Sequence, residues 1–185
     1  MQIKRDRFEN LIKENNFEEL FNELGWDRSK VAHTIAVDEK NYALKSIAEK
    51  KGFIVFQCQG VNSTAIPAKN DRLKIERTIT KIYFEHLIIY TDTNNKQLWE
   101  LSLKEANKPL QLRSVELYSN QKPEVLYQKL RNLLFTLDEE EKIGLVDVKL
   151  RVSEQFNQNN ERITKQFYEN FKKQHNAFQK FIDGL

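Results

Sequence analysis

The sequence predicts an α/β (α+β) chain built on a mixed central β-sheet flanked by helices, with a C-terminal helical extension behind it. Three observations carry that prediction. Short β-rich runs separated by turn signals fill residues 31 to 59. A helical stretch then feeds directly into an almost wholly apolar run, His86 to Asp92, and after Pro123 the apolar residues recur at helical spacing. The division falls between an α/β core over 1–122 and a helical extension over 123–185.

Along the chain, Phe8, Leu11, Ile12, Phe17, Leu20, Phe21 and Leu24 recur at helical spacing, with a break at Asn15-Asn16 and a stop at Gly25. Three strands follow, Ala32 to Val37, Tyr42 to Ile47 and Phe53 to Cys58, with Asp38-Glu39-Lys40 and Lys50-Lys51-Gly52 as turns. The last two strands form a hairpin. Beyond Pro67, residues from Asp71 to Phe84 read as a helix with Asp71 as N-cap and Leu73, Ile75, Ile79, Ile82 and Tyr83 facing inward. The run His86-Leu87-Ile88-Ile89-Tyr90-Thr91-Asp92 is apolar enough to be a central strand buried on both faces. Gln97 to Leu103 gives a further strand, with Leu98, Leu101 and Leu103 alternating with polar partners around Trp99.

In the extension, Glu124 to Phe135 forms an amphipathic helix whose stripe is Leu126, Leu130, Leu133 and Leu134. Another helix begins near Asp138, an N-cap followed by Glu139-Glu140-Glu141, where acidic side chains favour the helix dipole. The last segment, Asn160 to Ile182, sets Ile163, Phe167, Phe171, Phe178 and Ile182 on one stripe that needs a partner.

At 185 residues, 39% hydrophobic and 31% charged, the chain is long enough to bury a core, though its composition is on the polar side. Its net charge of +3 is too small to imply nucleic acid by itself, so such a reading rests on local clustering. The single cysteine, Cys58, excludes an internal disulfide and reads as a buried, reduced thiol. The charged N-terminus lacks the apolar core of a leader peptide and no window reaches transmembrane length, so a cytoplasmic place with no membrane partner is expected. His33, His86 and His175 lack ligand spacing, and no metal site is expected from them. His86 reads as a structural histidine, and Trp26 and Trp99 as packing residues.

Basic residues cluster on the helix after Pro67. Lys69, Arg72, Lys74, Arg77 and Lys81 outnumber Asp71 and Glu76 there, and positions 74, 77 and 81 recur at three and four residues, so they share a face that could follow DNA phosphates. A solvated face with Glu76 in ion pairs is the alternative. Lys165, Lys172, Lys173 and Lys180 form a second cluster among Phe167, Tyr168, Phe171 and Phe178, where phenylalanines at helical spacing indicate packing rather than base stacking.

Three segments together carry a resemblance: Phe21-Asn22-Glu23-Leu24-Gly25-Trp26-Asp27, then Lys74-Ile75-Glu76 leading to Glu85-His86-Leu87-Ile88-Ile89-Tyr90, then Ile163-Thr164-Lys165-Gln166-Phe167-Tyr168-Glu169-Asn170-Phe171. In their order and spacing the chain resembles the N-terminal, endonuclease-like region of type IIG restriction-modification enzymes, which are fused to an adenine-specific DNA methyltransferase. The resemblance implies a restriction-endonuclease-like core acting within a DNA-binding enzyme, with helical and methyltransferase domains of the same polypeptide as partners. The chain would then continue past Gly184-Leu185. S-adenosylmethionine would bind only on that downstream part, because neither a glycine-rich cofactor loop nor an Asn-Pro-Pro-Tyr element is present here.

The resemblance also implies where a nuclease site would lie. Nucleases with the PD-(D/E)xK motif hold Mg²⁺ with carboxylates at the ends of a bent hairpin, and a lysine helps to position the attacking water. The corresponding positions here are Asn41, Gln57 and Gln59, with Glu19 or Glu23 from the first helical stretch as a further member. Amides bring no charge, so these substitutions imply a degenerate site without a resident cofactor. The alternative is that Gln57 and Gln59 are ordinary polar strand positions and Asn41 a turn residue. A literal Glu-x-Lys stands at Glu49-Lys50-Lys51, where a charged hairpin tip is also expected, and would offer Glu49 and Lys51 if the chain were an active Mg²⁺-dependent endonuclease. A purely architectural, protein-binding module is the third expectation.

Overall fold

The computed structural model describes residues 3–59, 65–104, 107 and 109–157. Helices α1 (Arg5–Lys13) and α2 (Phe17–Glu23) come first. They part where expected, since Asn15 takes a left-handed conformation (φ 53°) that asparagine tolerates better than most residues. The side chain of Asn16 then caps α2, accepting from the Glu19 N–H at 3.3 Å. Asn16→Ala is expected to cost about 1 kcal/mol, read as a lower urea midpoint. An unchanged midpoint would show that the cap contributes nothing.

Strands β1 (Ala32–Val37), β2 (Lys40–Lys50) and β3 (Phe53–Gln59) form an antiparallel meander. Helix α3 (Lys69–Ile79) carries the chain to β4 (His86–Thr91), which pairs parallel to β3, and β5 (Gln97–Leu103) and β6 (Gln111–Leu117) add antiparallel neighbours. The result is a six-stranded mixed sheet whose spatial order follows the chain. All six residues of β4 are buried, as the apolar run predicts. Strand β6 escapes the sequence pattern because it is an edge strand: Gln111, Arg113, Ser114 and Glu116 interrupt it, and only Val115 and Leu117 are buried.

Alternation divides the sheet into two faces. On one, Phe53, Val55, Leu87, Ile89, Trp99 and Leu101 pack against α1 and α2, in a core that includes both tryptophans. Helices α4 (Glu124–Leu130) and α6 (Leu145–Gln155) cover the same face through Leu126, Leu130, Val148 and Val152. A bulge between Ser46 and Ala48 turns Ile47 and Ala48 together into that core. On the other face Tyr42, Leu44, Ile54, Phe56, Cys58, Ile88, Tyr90 and Leu98 meet Ile75 and Ile79 of α3.

Several boundaries differ from the sequence prediction. Helix α3 has Ala68 as its N-cap, which places Asp71 inside the first turn instead of at the cap. It ends at Ile79, so Ile82 lies in the following turn and is 57% exposed instead of facing inward. The helix at Glu124 tightens into a 3-10 turn at Arg131–Leu133 and then extends at Leu134, which lets Phe135 enter the core edge-on to Trp26. The short α5 (Leu137–Glu140) is capped by Thr136 rather than Asp138, because Glu139 reaches back to accept from the Thr136 N–H at 3.0 Å. Gly144 then separates α5 from α6, the longer of the two helices that follow Thr136. The stripe from Ile163 to Ile182 and its lysines lie outside the described residues. Among the described residues no helix is long and apolar enough to cross a membrane.

Candidate functional site

The β2–β3 hairpin gathers Asn41, Gln57 and Gln59. Tyr42 and Leu44 on β2, and Phe56 and Cys58 on β3, belong to the α3 side of the sheet, so by alternation the amides project from the opposite face, the one that carries α2. In register, Gln57 lies between Lys45 on β2 and Ile89 on β4, and Gln59 lies between Ala43 and Thr91. Asn41 stands at the start of β2, beside Ala36 of β1. Gln59 is exposed and Gln57 half-buried.

Helix α2 overlies this face with its carboxylates already engaged. Glu23 accepts from the Arg7 guanidinium at 2.8 Å, the same guanidinium lies 3.5 Å from Glu19, and Glu18 pairs with Lys45 at 2.5 Å. The chemistry of the patch follows from that inventory: three amides, a lysine beside Gln57, and carboxylates neutralised by basic partners. A divalent cation needs several anionic oxygens converging on one point. Among the described residues no group of three or more His, Cys, Asp or Glu converges in that way.

The alternative Glu-x-Lys lies at the far end of β2 from Asn41. Glu49 pairs through its backbone with Asp27, and Lys51 sits at the hairpin tip in a left-handed conformation. Between them Lys50 is 1% exposed, and its Nζ donates to Glu140 Oε1 at 2.7 Å and lies 3.5 Å from Asp27 Oδ2. This lysine holds α5 to the hairpin, and its hydrogen bond pulls the Glu140 carboxyl below the usual range.

The basic helix lies on the other side of the sheet from the amides. Four of the five candidate cations stand on α3 and Lys81 on the turn after it, and their surroundings differ. Arg72 points inward, donating from Nε to both Glu100 oxygens (3.0 and 3.2 Å) and from a terminal nitrogen to the Pro67 carbonyl (2.7 Å), with its guanidinium over the Tyr90 ring. Counted in the sequence among the DNA-binding candidates, it instead spends its charge inside the protein. Lys74 is exposed and pairs with Asp38 at 2.8 Å. Lys69, Arg77 and Lys81 are exposed; the charge of Lys69 acts on Glu100, while Arg77 and Lys81 form no ion pair among the described residues.

Under α3 the sheet carries a buried polar layer. Glu76 and His86 are both fully buried and meet at 2.6 Å, while Glu76 Oε1 and the Tyr90 hydroxyl have no hydrogen-bond partner among the described residues. Burial pushes the Tyr90 hydroxyl well up, and Glu76 and Glu100 add to that shift. Burial also raises the Glu100 carboxyl, against the opposing hydrogen bond from Arg72. Nearby, Tyr42 donates to Asp71 at 2.7 Å; burial, then that bond, push its phenol up to about 12. Burial alone pushes the Cys58 thiol up to about 12, which leaves it protonated and unreactive near neutral pH.

No protein-family model, curated protein or solved structure matches this chain. The residues themselves must therefore carry the functional reading. The sequence pattern missed the burial of Glu76, Glu100 and Lys50, because a charged side chain reads as solvated by default. A signal did exist for two of them. Glu76 is flanked by the inward Ile75 and Ile79, and Glu100 stands within Leu98-Trp99-Glu100-Leu101, a run otherwise apolar enough for burial on both faces.

Proposed function

We propose that this chain is a DNA-associated module of a restriction-modification enzyme, with a nuclease-like core that has lost its hydrolytic site. The observation that carries the reading is the outer face of α3 and the turn behind it, where Arg77 and Lys81 stand exposed and without ionic partners among the described residues, next to Lys74. Unpaired cations at this spacing suit successive phosphates of a DNA backbone. The succession of hairpin, helix and parallel strand supports a restriction-endonuclease-like core. Loss of hydrolysis is supported by Asn41, Gln57 and Gln59 sharing one face with Lys45, while Arg7 occupies Glu19 and Glu23. The module needs no cofactor of its own; Mg²⁺ would be required only by an active nuclease, and S-adenosylmethionine belongs to a downstream methyltransferase domain. Helical and methyltransferase parts of a longer polypeptide are its protein partners, and the buried, reduced Cys58 suits the cytoplasm.

Fluorescence anisotropy on a short duplex tests the DNA half. Arg77→Glu combined with Lys81→Glu is expected to weaken binding roughly tenfold at low salt and to flatten the log–log salt slope by about 2. Unchanged affinity would move the reading to an architectural, protein-binding module. Plasmid incubated with Mg²⁺ or Mn²⁺ is expected to stay intact. Hydrolysis that disappears in Glu19→Ala or Glu49→Ala would establish an active endonuclease instead.

A further inference from the structure

The turn between α3 and β4 carries an apolar pair where a soluble surface has least reason to show one. Ile82 is 57% and Phe84 61% exposed, and the residue between them, Tyr83, is turned inward. The turn is held rigidly. Ile82 and Tyr83 donate their N–H groups to the Ile79 carbonyl (2.9 and 2.8 Å), and Lys81 donates to Thr78 (3.3 Å). The Tyr83 carbonyl meets His86 Nδ1 at 3.0 Å, its hydroxyl meets His33 Nε2 at 3.1 Å, and its ring packs against Phe56. Glu85 is fixed by Lys149, and its carbonyl accepts from Ile54. Phe84 is thus displayed by a preorganised backbone.

One cation lies over the exposed ring and two more precede it in the chain. Lys104 Nζ lies 5.6 Å from the Phe84 centroid, Lys81 stands three residues before it, and Arg77 lies one helical turn further back. The acidic side chain beside Phe84, Glu85, is neutralised by Lys149. A rigid aromatic face beside exposed cations fits a polyanion that also offers flat apolar surfaces. Stacked duplex DNA hides those surfaces, whereas an unpaired strand presents them.

We propose that Phe84, flanked by Ile82, is a stacking platform for an unpaired nucleobase, with Arg77, Lys81 and Lys104 contacting the adjoining phosphates. This rests on the nucleic-acid reading above and adds the form of nucleic acid that the surface selects: single-stranded or locally opened. Phe84 and Ile82 bind base, and the cations bind backbone.

The test compares the full chain and its variants on a fifteen-nucleotide oligothymidylate and on a duplex of equal length. Phe84→Ala is expected to weaken single-strand binding roughly tenfold, while duplex affinity and the salt slope stay as in the parent chain. Lys81→Ala should weaken both and flatten the slope. Phe84→Trp supplies a direct readout, because the native Trp26 and Trp99 are buried; its indole emission should be quenched when the single strand binds and not when the duplex binds. If the single strand binds Phe84→Ala as tightly as the parent, or leaves the Phe84→Trp emission unchanged, the platform is refuted while the DNA reading stands. If no DNA binds at all, both fall. Binding to phosphatidylserine vesicles that is lost in Phe84→Ala, with no single-strand effect, would overturn the proposal in favour of a membrane surface.

Discussion

Glu76→Ala is expected to lower the stability of the chain by about 2 to 4 kcal/mol, the combined cost of leaving a buried hydrogen-bond partner unsatisfied and of opening a cavity. Glu76 and His86 meet at 2.6 Å with neither side chain reaching solvent. Alanine would strand the ring nitrogen of His86 in the layer between α3 and β4 and leave a cavity beside Ile75 and Ile79. One carboxylate oxygen of Glu76 already lacks a partner, which offsets part of the loss. The double replacement Glu76→Leu with His86→Phe should recover part of the deficit, since it removes both polar side chains at once and leaves only the Tyr83 carbonyl without its imidazole partner. Urea denaturation at neutral pH measures both. If Glu76→Ala melts at the parent's midpoint, the pair does not hold α3 to the sheet.

Gly25→Ala is the second large effect, and its cause is distinct. Gly25 has φ +79°, and a Cβ built there would lie 2.1 Å from the carbonyl oxygen of Phe135. The obstacle is backbone, so it cannot rotate aside. Moving it would break the bond from the Phe135 N–H to the Leu24 carbonyl (2.9 Å) and disturb the Trp26 indole, which donates to the Leu133 carbonyl at 2.9 Å. A left-handed alanine costs about 1–2 kcal/mol and overpacking about 1–3 kcal/mol, so a loss of about 3 kcal/mol or more is expected. Gly52→Ala separates the two terms. Its φ is +91°, but the nearest atoms are Leu145 side-chain methyls at 4.0 Å, so only the conformational cost of about 1 kcal/mol remains. Equal losses at the two glycines would show that the approach of Phe135 is not responsible.

Much of the fold was legible from local pattern. The break at Asn15-Asn16, the stop at Gly25, the hairpin around Lys51-Gly52 and the buried β4 all stand where periodicity and turn residues put them. The misses share a cause. Strand β6 lies at a sheet edge with little to bury, and α3 ends early because Tyr83, not Ile82, is drawn inward by His33 and Phe56. The candidate site was less legible still. The basic cluster counted Arg72 among the DNA-binding candidates, but Glu100, 28 residues away, claims its guanidinium.

By itself the sequence determined the order and type of most elements, because helical and strand periodicities are properties of neighbouring residues. It also determined that Asn41, Gln57 and Gln59 bring no charge to the hairpin, since that is a matter of residue identity. Only the tertiary structure decided which charges are free. Lys50 meets Glu140 across 90 residues of chain, and sheet register places the three amides and the basic helix on opposite faces. The physical reason is that an ion pair depends on what the fold brings within a few ångströms, and no local pattern encodes that distance.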